Sequence, residues 1–330
     1  MSGPLKALIV GCGRIAGGFD EFGPDSAVLS HAGAYRRHPG FEIVACVEPD
    51  TECRDGFAKT WAVPAAFANL DKCLEAGTPF DVASICVPTA SHGAVLDRLL
   101  DTEVKAVFCE KPLTDDVAES ERLIEAYAEA RVLLAVNYLR RWDPSVAALR
   151  HEIESGEWGH VRTATGYYTK GVMNNGSHLV DLAHLLRGPL ALDAVTGART
   201  DHDPGDPTVD AVLRWEDGVA MHLIGADARD MSLLEFHIVT ERGAIGIEES
   251  GFTIRRRRIV PSPYFAGYRQ LDRGQWATTE FETALYHAVD NLYAAVVRGA
   301  VLESDGRSAL SAQVLCEEMR RRVTSLELTA

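Results

Sequence analysis

Long apolar runs are missing from this sequence. No stretch reaches the ~18 consecutive apolar residues of a membrane-spanning helix, and the N-terminus has a single cation ahead of a very short apolar run. The seven cysteines form no CxxC pair and lie mostly in apolar stretches such as residues 84–87, which is typical of free thiols in a reducing compartment. We therefore expect a cytoplasmic protein. No His, Cys, Asp or Glu cluster has metal-ligand spacing, so no metal is expected.

Positive charge is also scarce. The 33 Lys and Arg residues are outnumbered by 48 Asp and Glu, for a formal net charge of −15. Nucleic acids and anionic membranes are bound largely through Lys and Arg, so we expect neither as a partner. Only six of the cations are lysines. Lysine, unlike arginine, can lose its proton near neutral pH when desolvated, which makes each lysine a candidate for acid or base chemistry.

The 330 residues are more than one ordinary core requires and suggest two domains. Before residue 150, short apolar runs alternate with helical patterns, which predicts a Rossmann domain with a doubly wound parallel sheet. Its predicted strands are 5–10, 41–47, 82–87, 105–109 and 133–136. Beyond residue 150, longer strands with Asp-Gly and Arg-Gly turns predict an α+β domain with a large, mostly antiparallel, open-faced sheet.

We place the domains at 1–145 and 146–330, with the C-terminal helix a candidate to pack back on the first domain. Helices predicted at about 176–187, 281–298 and 308–325 are expected to cover one face of the second sheet. The other face is then open. An open sheet face of that size is a common association surface, so we expect a homodimer or homotetramer.

The first predicted strand runs directly into a G-x-G-x-x-A motif formed by Gly11, Gly13 and Ala16. Gly11 permits a tight turn, Gly13 lets the main chain approach a pyrophosphate, and Ala16 allows a helix to pack closely on the strand. The motif predicts dinucleotide binding, with a glycine-rich packing turn as the alternative. Arg14 and Ile15, at its variable positions, are included among the predicted cofactor contacts.

Glu48 follows the second predicted strand, where an acid is suited to the hydroxyls of the adenosine ribose. It lies 32 residues after Ala16, beyond the usual ~20, and we expect residues 17–30 to form a loop that accounts for the excess. A carboxylate at this position repels a 2′-phosphate. The sequence therefore favours NAD(H) over NADP(H).

Ligands of an open parallel sheet gather beyond the carboxyl ends of its strands. The predicted strand ends carry polar or turn-forming residues that buried strands do not require. The cofactor contacts predicted among them are Pro88, Thr89, His92, Glu110, Lys111 and Asn137. Lys111 is the candidate general acid or base. Its spacing is equally compatible with a lysine that only pairs with Glu110 or caps a strand.

Three segments carry a family resemblance: the G-x-G-x-x-A motif, Glu110-Lys111-Pro112, and residues 176–188 with His178 and Asp181. Together with residues 137–144 they resemble the Gfo/Idh/MocA family, which includes glucose-fructose oxidoreductase and inositol dehydrogenase. The resemblance covers essentially the whole chain. It implies an NAD(P)-dependent oxidoreductase that transfers a hydride at a secondary alcohol or ketone of a sugar, a sugar derivative or a cyclitol. Lys111 then matches the catalytic lysine and His178 the catalytic histidine.

His178 lies in the first turn of its predicted helix, where the helix dipole disfavours imidazolium, so a neutral ring can exchange a proton with a substrate hydroxyl. The alternative is a histidine satisfied within its helix, as we expect for His184; Asp181 is also expected to be structural or to support His178. Many relatives carry aspartate where this chain has Asn174. An amide can hydrogen-bond a hydroxyl but cannot take its proton, so Asn174 is predicted to position the substrate, and a sugar-modifying branch of the family is favoured.

The predicted substrate contacts also include three residues expected to flank the same cleft, Arg141, Tyr168 and Lys170. With Arg140, the cations among them predict an anionic substrate such as a sugar phosphate, a sugar acid or a nucleotide sugar, with ordinary ion pairing as the alternative. Tyr168 is the next candidate for proton transfer after Lys111. The Arg run at 255–258 is expected to be a solvated or interface strand. The rival to an enzyme is a non-catalytic NAD(P)-sensing regulator of the same fold, like the galactose-pathway repressors.

Overall fold

The computed structural model of the protein describes residues 3–20 and 27–327. The chain divides into two compact units. Unit 1 comprises Met1–Trp142 and Glu282–Leu310, and unit 2 comprises Asp143–Phe281 and Ser311–Ala330. The helices, in chain order, are α1 (His31–Arg37), α2 (Thr51–Trp61), α3 (Leu70–Glu75), α4 (His92–Leu100), α5 (Val117–Ala130), α6 (Pro144–Glu154), α7 (Ser177–Arg187), α8 (Ala284–Arg298) and α9 (Gly306–Glu327). No helix within the described ranges has the length and apolar character needed to cross a membrane.

Unit 1 contains a wholly parallel six-stranded sheet. Its strands are β1 (Leu5–Val10), β2 (Phe41–Val47), β3 (Ala65–Phe67), β4 (Val82–Ile85), β5 (Ala106–Cys109) and β6 (Leu133–Val136). They lie in the order β3-β2-β1-β4-β5-β6, and the winding direction reverses between β1 and β4. The predicted Rossmann fold is confirmed, and the five predicted strands agree to within two residues at each end. The short strand β3 was not predicted.

Side-chain caps define where several helices of unit 1 begin. Ser30 accepts a hydrogen bond from the N–H of Gly33 at the start of α1, and Asp50 accepts one from Cys53 at the start of α2. Asn69 caps α3 in the same way. Each cap satisfies an amide that the helix itself leaves without a partner.

Helix α8 completes the core of unit 1. Leu285, Ala288, Val289 and Leu292, at the spacing of one helical face, are buried in the same cluster as Tyr35 and Phe41. The sequence predicted this helix correctly but placed it on the second sheet. The apolar stripe specifies a helix with one buried face, but it does not specify which sheet that face covers.

The segment that follows the G-x-G turn differs from the long helix typical of a dinucleotide motif. Arg14–Gly18 forms a single π-helical turn, packed so closely on α2 that a Cβ on Gly17 would overlap the side chains of Trp61 and Phe57. The chain then enters the predicted loop, of which residues 21–26 lie outside the described residues. Asp20 ties this loop to α1 by accepting hydrogen bonds from the Leu29 N–H (2.7 Å) and the Ser30 hydroxyl (2.6 Å).

Unit 2 contains a nine-stranded sheet that is antiparallel except for one parallel pair. Its strands are β7 (Val161–Tyr168), β8 (Leu190–Asp203), β9 (Asp206–Trp215), β10 (Ala220–Gly225), β11 (Leu234–Thr240), β12 (Gly243–Glu248), β13 (Thr253–Pro261), β14 (Arg269–Leu271) and β15 (Gln275–Thr278). The order is β14-β13-β12-β11-β7-β10-β9-β8, with β15 also paired to β13. The predicted, mostly antiparallel sheet is confirmed. The short strands β14 and β15 were not predicted.

The two faces of this sheet differ in what covers them. Helix α7 packs on one face, where a Cβ on Gly166 of β7 would lie 2.9 Å from the Leu179 side chain. Along β7, β10 and β11 the alternate positions carry exposed apolar side chains, among them Tyr167, Ile224 and Val239, which are 36–44% exposed. Within unit 2, these three side chains mark a sheet face that is open to solvent.

The Arg run on β13 makes contacts within unit 2. Arg256 pairs with Glu152 of α6 at 2.7 Å, and Arg258 pairs with Glu157 and stacks over the Trp158 ring. Partly exposed ion pairs of this kind contribute little stability each. These contacts nevertheless give Arg256 and Arg258 partners within the protein, so a ligand is not needed to explain the two side chains.

Candidate cofactor and catalytic site

The turn after β1 requires glycine at its first position. Gly11 has φ +91°, and a Cβ there would lie 2.7 Å from main-chain atoms of Cys86 and Val87. Its N–H donates to the Val47 carbonyl at 2.8 Å, which holds the ends of β1 and β2 together. At Gly13, by contrast, no heavy atom of the described residues lies within 4 Å of the Cβ position. The main chain at Gly13 is therefore open to a closely approaching ligand, as the motif requires for a pyrophosphate.

Glu48 follows β2 and is hydrogen-bonded to the motif itself. Its Oε2 accepts from the Cys12 N–H at 3.0 Å, and its Oε1 accepts from the Asp50 N–H at 3.1 Å. Arg54 donates to the main-chain carbonyl of Glu48 at 3.0 Å, not to its carboxylate. A negative charge is thus held beside the G-x-G turn, where the sequence predicted the ribose site.

Main-chain hydrogen bonds bring the ends of β5 and β6 into register. The Glu110 N–H donates to the Ile85 carbonyl at 3.0 Å, and the Asn137 N–H donates to the Cys109 carbonyl at 2.8 Å. The side chains of the two strand-end residues then meet, because Asn137 Nδ2 donates to Glu110 Oε1 at 2.7 Å. The structure thus joins two of the predicted cofactor contacts in one hydrogen-bonded pair.

Asn137 also carries an unsatisfied acceptor. The residue is 4% exposed, and its Oδ1 has no hydrogen-bond partner among the described residues. A buried amide oxygen without a donor costs free energy, so this atom has a strong preference for a ligand that supplies one. The carboxamide and ribose hydroxyls of a nicotinamide nucleotide are donors of this kind. With the open main chain at Gly13 and the carboxylate of Glu48, the residues present fit such a cofactor.

Glu110 is the end of a buried chain of hydrogen-bonding groups. Its Oε1 lies 2.9 Å from His31 Nε2, His31 Nδ1 lies 3.0 Å from Ser84 Oγ, and Ser84 Oγ lies 2.8 Å from the Tyr35 hydroxyl. His31, Ser84 and Tyr35 are all fully buried. Sequence analysis missed these three residues, since Ser84 and Glu110 lie 53 and 79 positions from His31 and no local pattern connects them. We refer to Tyr35, Ser84, His31 and Glu110 as the His31 chain.

The environment of Glu110 favours its ionised form. Burial acts to raise the pKa of its carboxyl, but the hydrogen bond and charge interaction with His31, the hydrogen bond from Asn137 and the nearby charge of Lys111 outweigh burial, so the pKa is lowered. The folded pKa is then below the unfolded one. The ionised carboxylate stabilises the fold at neutral pH, and this contribution is lost as the pH falls through the folded pKa.

Lys111 directly follows Glu110, is half-buried, and precedes a cis peptide bond to Pro112. The buried side chain of His92 contacts this segment. Its Nδ1 lies 3.0 Å from the Pro112 carbonyl and its Nε2 lies 2.9 Å from the Val87 carbonyl, with the side chain buried. His92 was predicted to contact the cofactor. Its main-chain partners show instead that it ties the loop after β4 to the Lys111–Pro112 segment, and we infer a positioning role. The loop after β4 also carries Pro88 and Thr89.

In unit 2, His178 and Asn174 lie on consecutive turns. Asn174 belongs to a π-helical turn, Gly171–Gly176, and His178 is the second residue of α7. Asp206 holds this turn by accepting from the N–H groups of Met173 (2.8 Å) and Asn174 (2.9 Å). Both His178 and Asn174 are half-buried. The role of Asp206 was not predicted, since it lies on β9 and 32 positions from Asn174.

Tyr168 requires a correction. It was predicted to contact substrate and to be the next candidate for proton transfer, but it is fully buried. Its hydroxyl donates to the Val209 carbonyl at 2.9 Å and accepts from the Val209 N–H at 2.7 Å. Burial raises the pKa of this hydroxyl well above its ordinary value. Tyr168 therefore stabilises the sheet of unit 2, and its full burial keeps its hydroxyl from a substrate.

The predicted cations differ in their surroundings. Arg141 donates to the Glu303 carbonyl at 3.3 Å, and Arg140 is buried. Lys170 adopts a left-handed backbone conformation with φ +68°, and its N–H donates to Asp201 at 3.0 Å, while its side chain is half-buried. Contact of Arg141 and Lys170 with a substrate stays a prediction. The described part of the chain contains no group of three or more His, Cys, Asp or Glu residues placed to hold a metal ion.

Comparison with known proteins identifies the class. Residues 5–138 match the family described as "Oxidoreductase family, NAD-binding Rossmann fold". Inositol 2-dehydrogenase from Rhizobium meliloti (strain 1021) is 24% identical over 277 residues, which cover 76% of this chain and 80% of that protein. These matches define an oxidoreductase with a nicotinamide-binding first domain. The family match over residues 5–138 and the similarity to inositol 2-dehydrogenase support a Gfo/Idh/MocA oxidoreductase.

Solved structures share the fold over nearly the whole chain. The WlbA dehydrogenase from Bordetella pertussis, in complex with NADH and UDP-GlcNAcA, is similar with a TM-score of 0.75 and 20% identity, over 96% of both chains. KijD10, a 3-ketoreductase from Actinomadura kijaniata in complex with NADP and TDP-benzene, has a TM-score of 0.75 and 18% identity, over 96% of this chain and 97% of that one.

Proposed function

We propose that this protein is an NAD(H)-dependent oxidoreductase that transfers a hydride at a secondary alcohol or ketone of a sugar, a sugar derivative or a cyclitol. The observation that carries the proposal is the arrangement at the ends of β5 and β6. There, Lys111 follows a partly buried, ionised Glu110 that is hydrogen-bonded to Asn137, and the Oδ1 of Asn137 has no donor among the described residues. A packing turn needs none of these groups, whereas a nicotinamide site uses all of them.

The protein residues divide the work of proton transfer. A bound nicotinamide supplies the acceptor or donor of the hydride. In the oxidation direction, the neutral amine of Lys111 takes the proton of the substrate hydroxyl while the hydride leaves the carbon that bears this hydroxyl. In the reduction direction, the ammonium of Lys111 returns that proton to the oxygen. His178, in the first turn of α7, is the proposed partner of Lys111 in this proton transfer and hydrogen-bonds the same substrate hydroxyl. Asn174, fixed through its main chain by Asp206, orients a hydroxyl without accepting its proton.

Nucleotide-linked sugars are the substrate class that we favour. The two solved structures named above hold UDP-GlcNAcA and TDP-benzene, and Asn174 departs from the aspartate of many relatives. The test is to incubate the protein with NAD and a panel of neutral sugars, cyclitols, sugar acids and nucleotide sugars while following the absorbance of reduced cofactor. Turnover of a nucleotide sugar or sugar acid supports the proposal. Tight NAD binding without turnover of any member, in either direction, would favour the regulatory alternative.

Cofactor preference provides a separate prediction. Glu48→Ala is expected to weaken NAD binding on the order of tenfold, because charge-assisted hydrogen bonds to the ribose are lost, and to improve NADP binding because the repulsion of the 2′-phosphate is removed. Calorimetry measures both constants. Glu42→Gln, an exposed change on the same strand, is the control and should alter neither. Equal or better affinity of the unaltered protein for NADP than for NAD would show that Arg54 or another cation overrides Glu48.

We further propose that the protein forms a homodimer or homotetramer through the open sheet face of unit 2. The exposed Tyr167, Ile224 and Val239 support this, because apolar side chains on a sheet face favour association. Light scattering at micromolar concentration should give a dimer or tetramer. Val239→Lys should shift the protein toward the monomer, whereas a monomeric unaltered protein would contradict the proposal.

A further inference from the structure

His31 itself has no contact with solvent. It is fully buried, its ring packs on Phe108 with centroids 4.5 Å apart, and its nitrogens face Ser84 and Glu110. A second buried histidine of unit 1, His38, similarly faces a carboxylate, with Nε2 3.1 Å from Asp290 Oδ1. What distinguishes His31 is that its carboxylate partner is the neighbour of Lys111.

The direction of the hydrogen bonds in the His31 chain follows from its two ends. An ionised Glu110 only accepts, so the proton on His31 Nε2 is donated to it. At the other end, Ser84 is the only hydrogen-bond partner that the described residues give the buried Tyr35 hydroxyl. Tyr35 must therefore donate to Ser84, since the reverse arrangement would leave a buried O–H without an acceptor. Ser84 then donates to His31 Nδ1.

The His31 chain does not carry protons to solvent. Tyr35, its last member, is fully buried, and burial raises the pKa of its hydroxyl. The His31 chain ends at a buried residue, and each of its groups donates its hydrogen bond towards Glu110. Such an arrangement fixes the position of the final acceptor. That acceptor is Glu110, whose Oε1 receives both the His31 and the Asn137 hydrogen bonds.

The titratable groups that face Glu110 are few. Lys111 acts on it from the same segment and His31 from α1, while Cys86 and Cys109 lie near the ends of β4 and β5. Burial and the charge of Glu110 raise the pKa of both thiols well above the ordinary value, so they are neutral at physiological pH. Lys111 is therefore a cation on which the Glu110 charge acts, and it is the one that the proposed function uses.

We propose that His31 is a positioning residue for Lys111: by holding Glu110 ionised and oriented, it stabilises the protonated form of Lys111 and so sets the pH range in which Lys111 exchanges its proton. This inference rests on the proposed function only for its catalytic consequence. The electrostatic part holds for the protein with or without turnover.

The test compares substitutions that keep or remove the donor to Glu110. H31F retains an aromatic ring against Phe108 but donates nothing. In H31Q the terminal amide takes the place of Nε2 and still donates to Glu110. The matched control is H38F, which removes the other buried histidine–carboxylate pair of unit 1. The chain has six lysines, so reductive methylation with ¹³C-formaldehyde gives few NMR signals, and K111R assigns the one from Lys111.

In H31F we expect the titration midpoint of methylated Lys111 to move to lower pH, because an unheld Glu110 takes up a proton more readily and its charge no longer stabilises the ammonium. H31Q should return the midpoint towards that of the unaltered protein, and H38F should leave it unchanged. With an active substrate, H31F should lower kcat roughly ten- to a hundredfold with little change in cofactor affinity, and the lysine limb of its pH profile should move in the same direction.

An unchanged Lys111 midpoint in folded H31F, or an equal shift in H38F, would overturn the inference. If H31F does not fold, H31N replaces it, since the shorter amide reaches only the Nδ1 position and keeps the Ser84 hydrogen bond without the one to Glu110. The two proposals can also fail separately. If the Lys111 midpoint shifts as expected in H31F but the K111A variant remains fully active, the positioning role of His31 is supported and the proposed catalytic role of Lys111 is refuted.

Discussion

Lys111→Ala is expected to lower kcat by at least about 10³-fold while leaving the dissociation constant of NAD within a few-fold of its original value. The loss is large because Lys111 is the group proposed to move the substrate proton. Cofactor binding should be retained because the Gly11 turn and Glu48 are proposed to bind the dinucleotide independently of Lys111. Steady-state kinetics and calorimetry on the same preparation measure the two quantities.

Lys105→Ala is the matched control for that experiment. Lys105 precedes β5 at its amino end, whereas Lys111 lies beyond the carboxyl end, and the exposed pair of Lys105 with Asp81 is at the surface. Its removal should change kcat less than twofold or so, in keeping with the small contribution of exposed ion pairs. Near-normal turnover by Lys111→Ala would refute the assignment and leave the proton to water or to another side chain.

His178→Asn is expected to lower kcat by about 10²-fold, at the low end of the range for one acid or base group. Asparagine keeps a hydrogen-bonding group near the substrate but cannot exchange a proton. KM should change much less than kcat, since binding contacts elsewhere are untouched. The comparison is made at the pH optimum of the unaltered enzyme.

The control lies on the same helix. His184 of α7 approaches the Ser311 hydroxyl at 3.2 Å, and His184→Asn should affect the melting temperature more than turnover. Equal losses of kcat in the two variants would show that α7 as a whole, and not the imidazole of His178, is what catalysis depends on.

Local sequence patterns predicted most of the architecture. Strands β1, β4 and β5 are buried on both faces, so each reads as a short, nearly continuous apolar run with clear ends. β3 is only three residues long, and Ala65–Phe67 carries no pattern that distinguishes it from a loop. The stripe on α8 specified a helix, but only the folded structure shows that Tyr35 and Phe41 are what it covers.

The sequence offers candidate site residues where a residue type is informative at its position. Gly11 and Lys111 stand at strand ends, where their types are informative without knowledge of their neighbours. The prediction for Tyr168 was wrong because side chains alternate between the two faces of β7. Tyr167 is on the exposed face and Tyr168 is on the buried one. The His31 chain was invisible because its members come together only when α1, β4 and β5 are assembled.

The return of α8 to unit 1 has a consequence for synthesis on the ribosome. The apolar face formed by Leu285, Ala288, Val289 and Leu292 is made almost 150 residues after the last strand of the parallel sheet. Until that helix has left the exit tunnel, Tyr35 and Phe41 lack part of their covering. While the whole of the second sheet is translated, the nascent nucleotide-binding domain therefore has an incomplete core, with apolar surface accessible to chaperones.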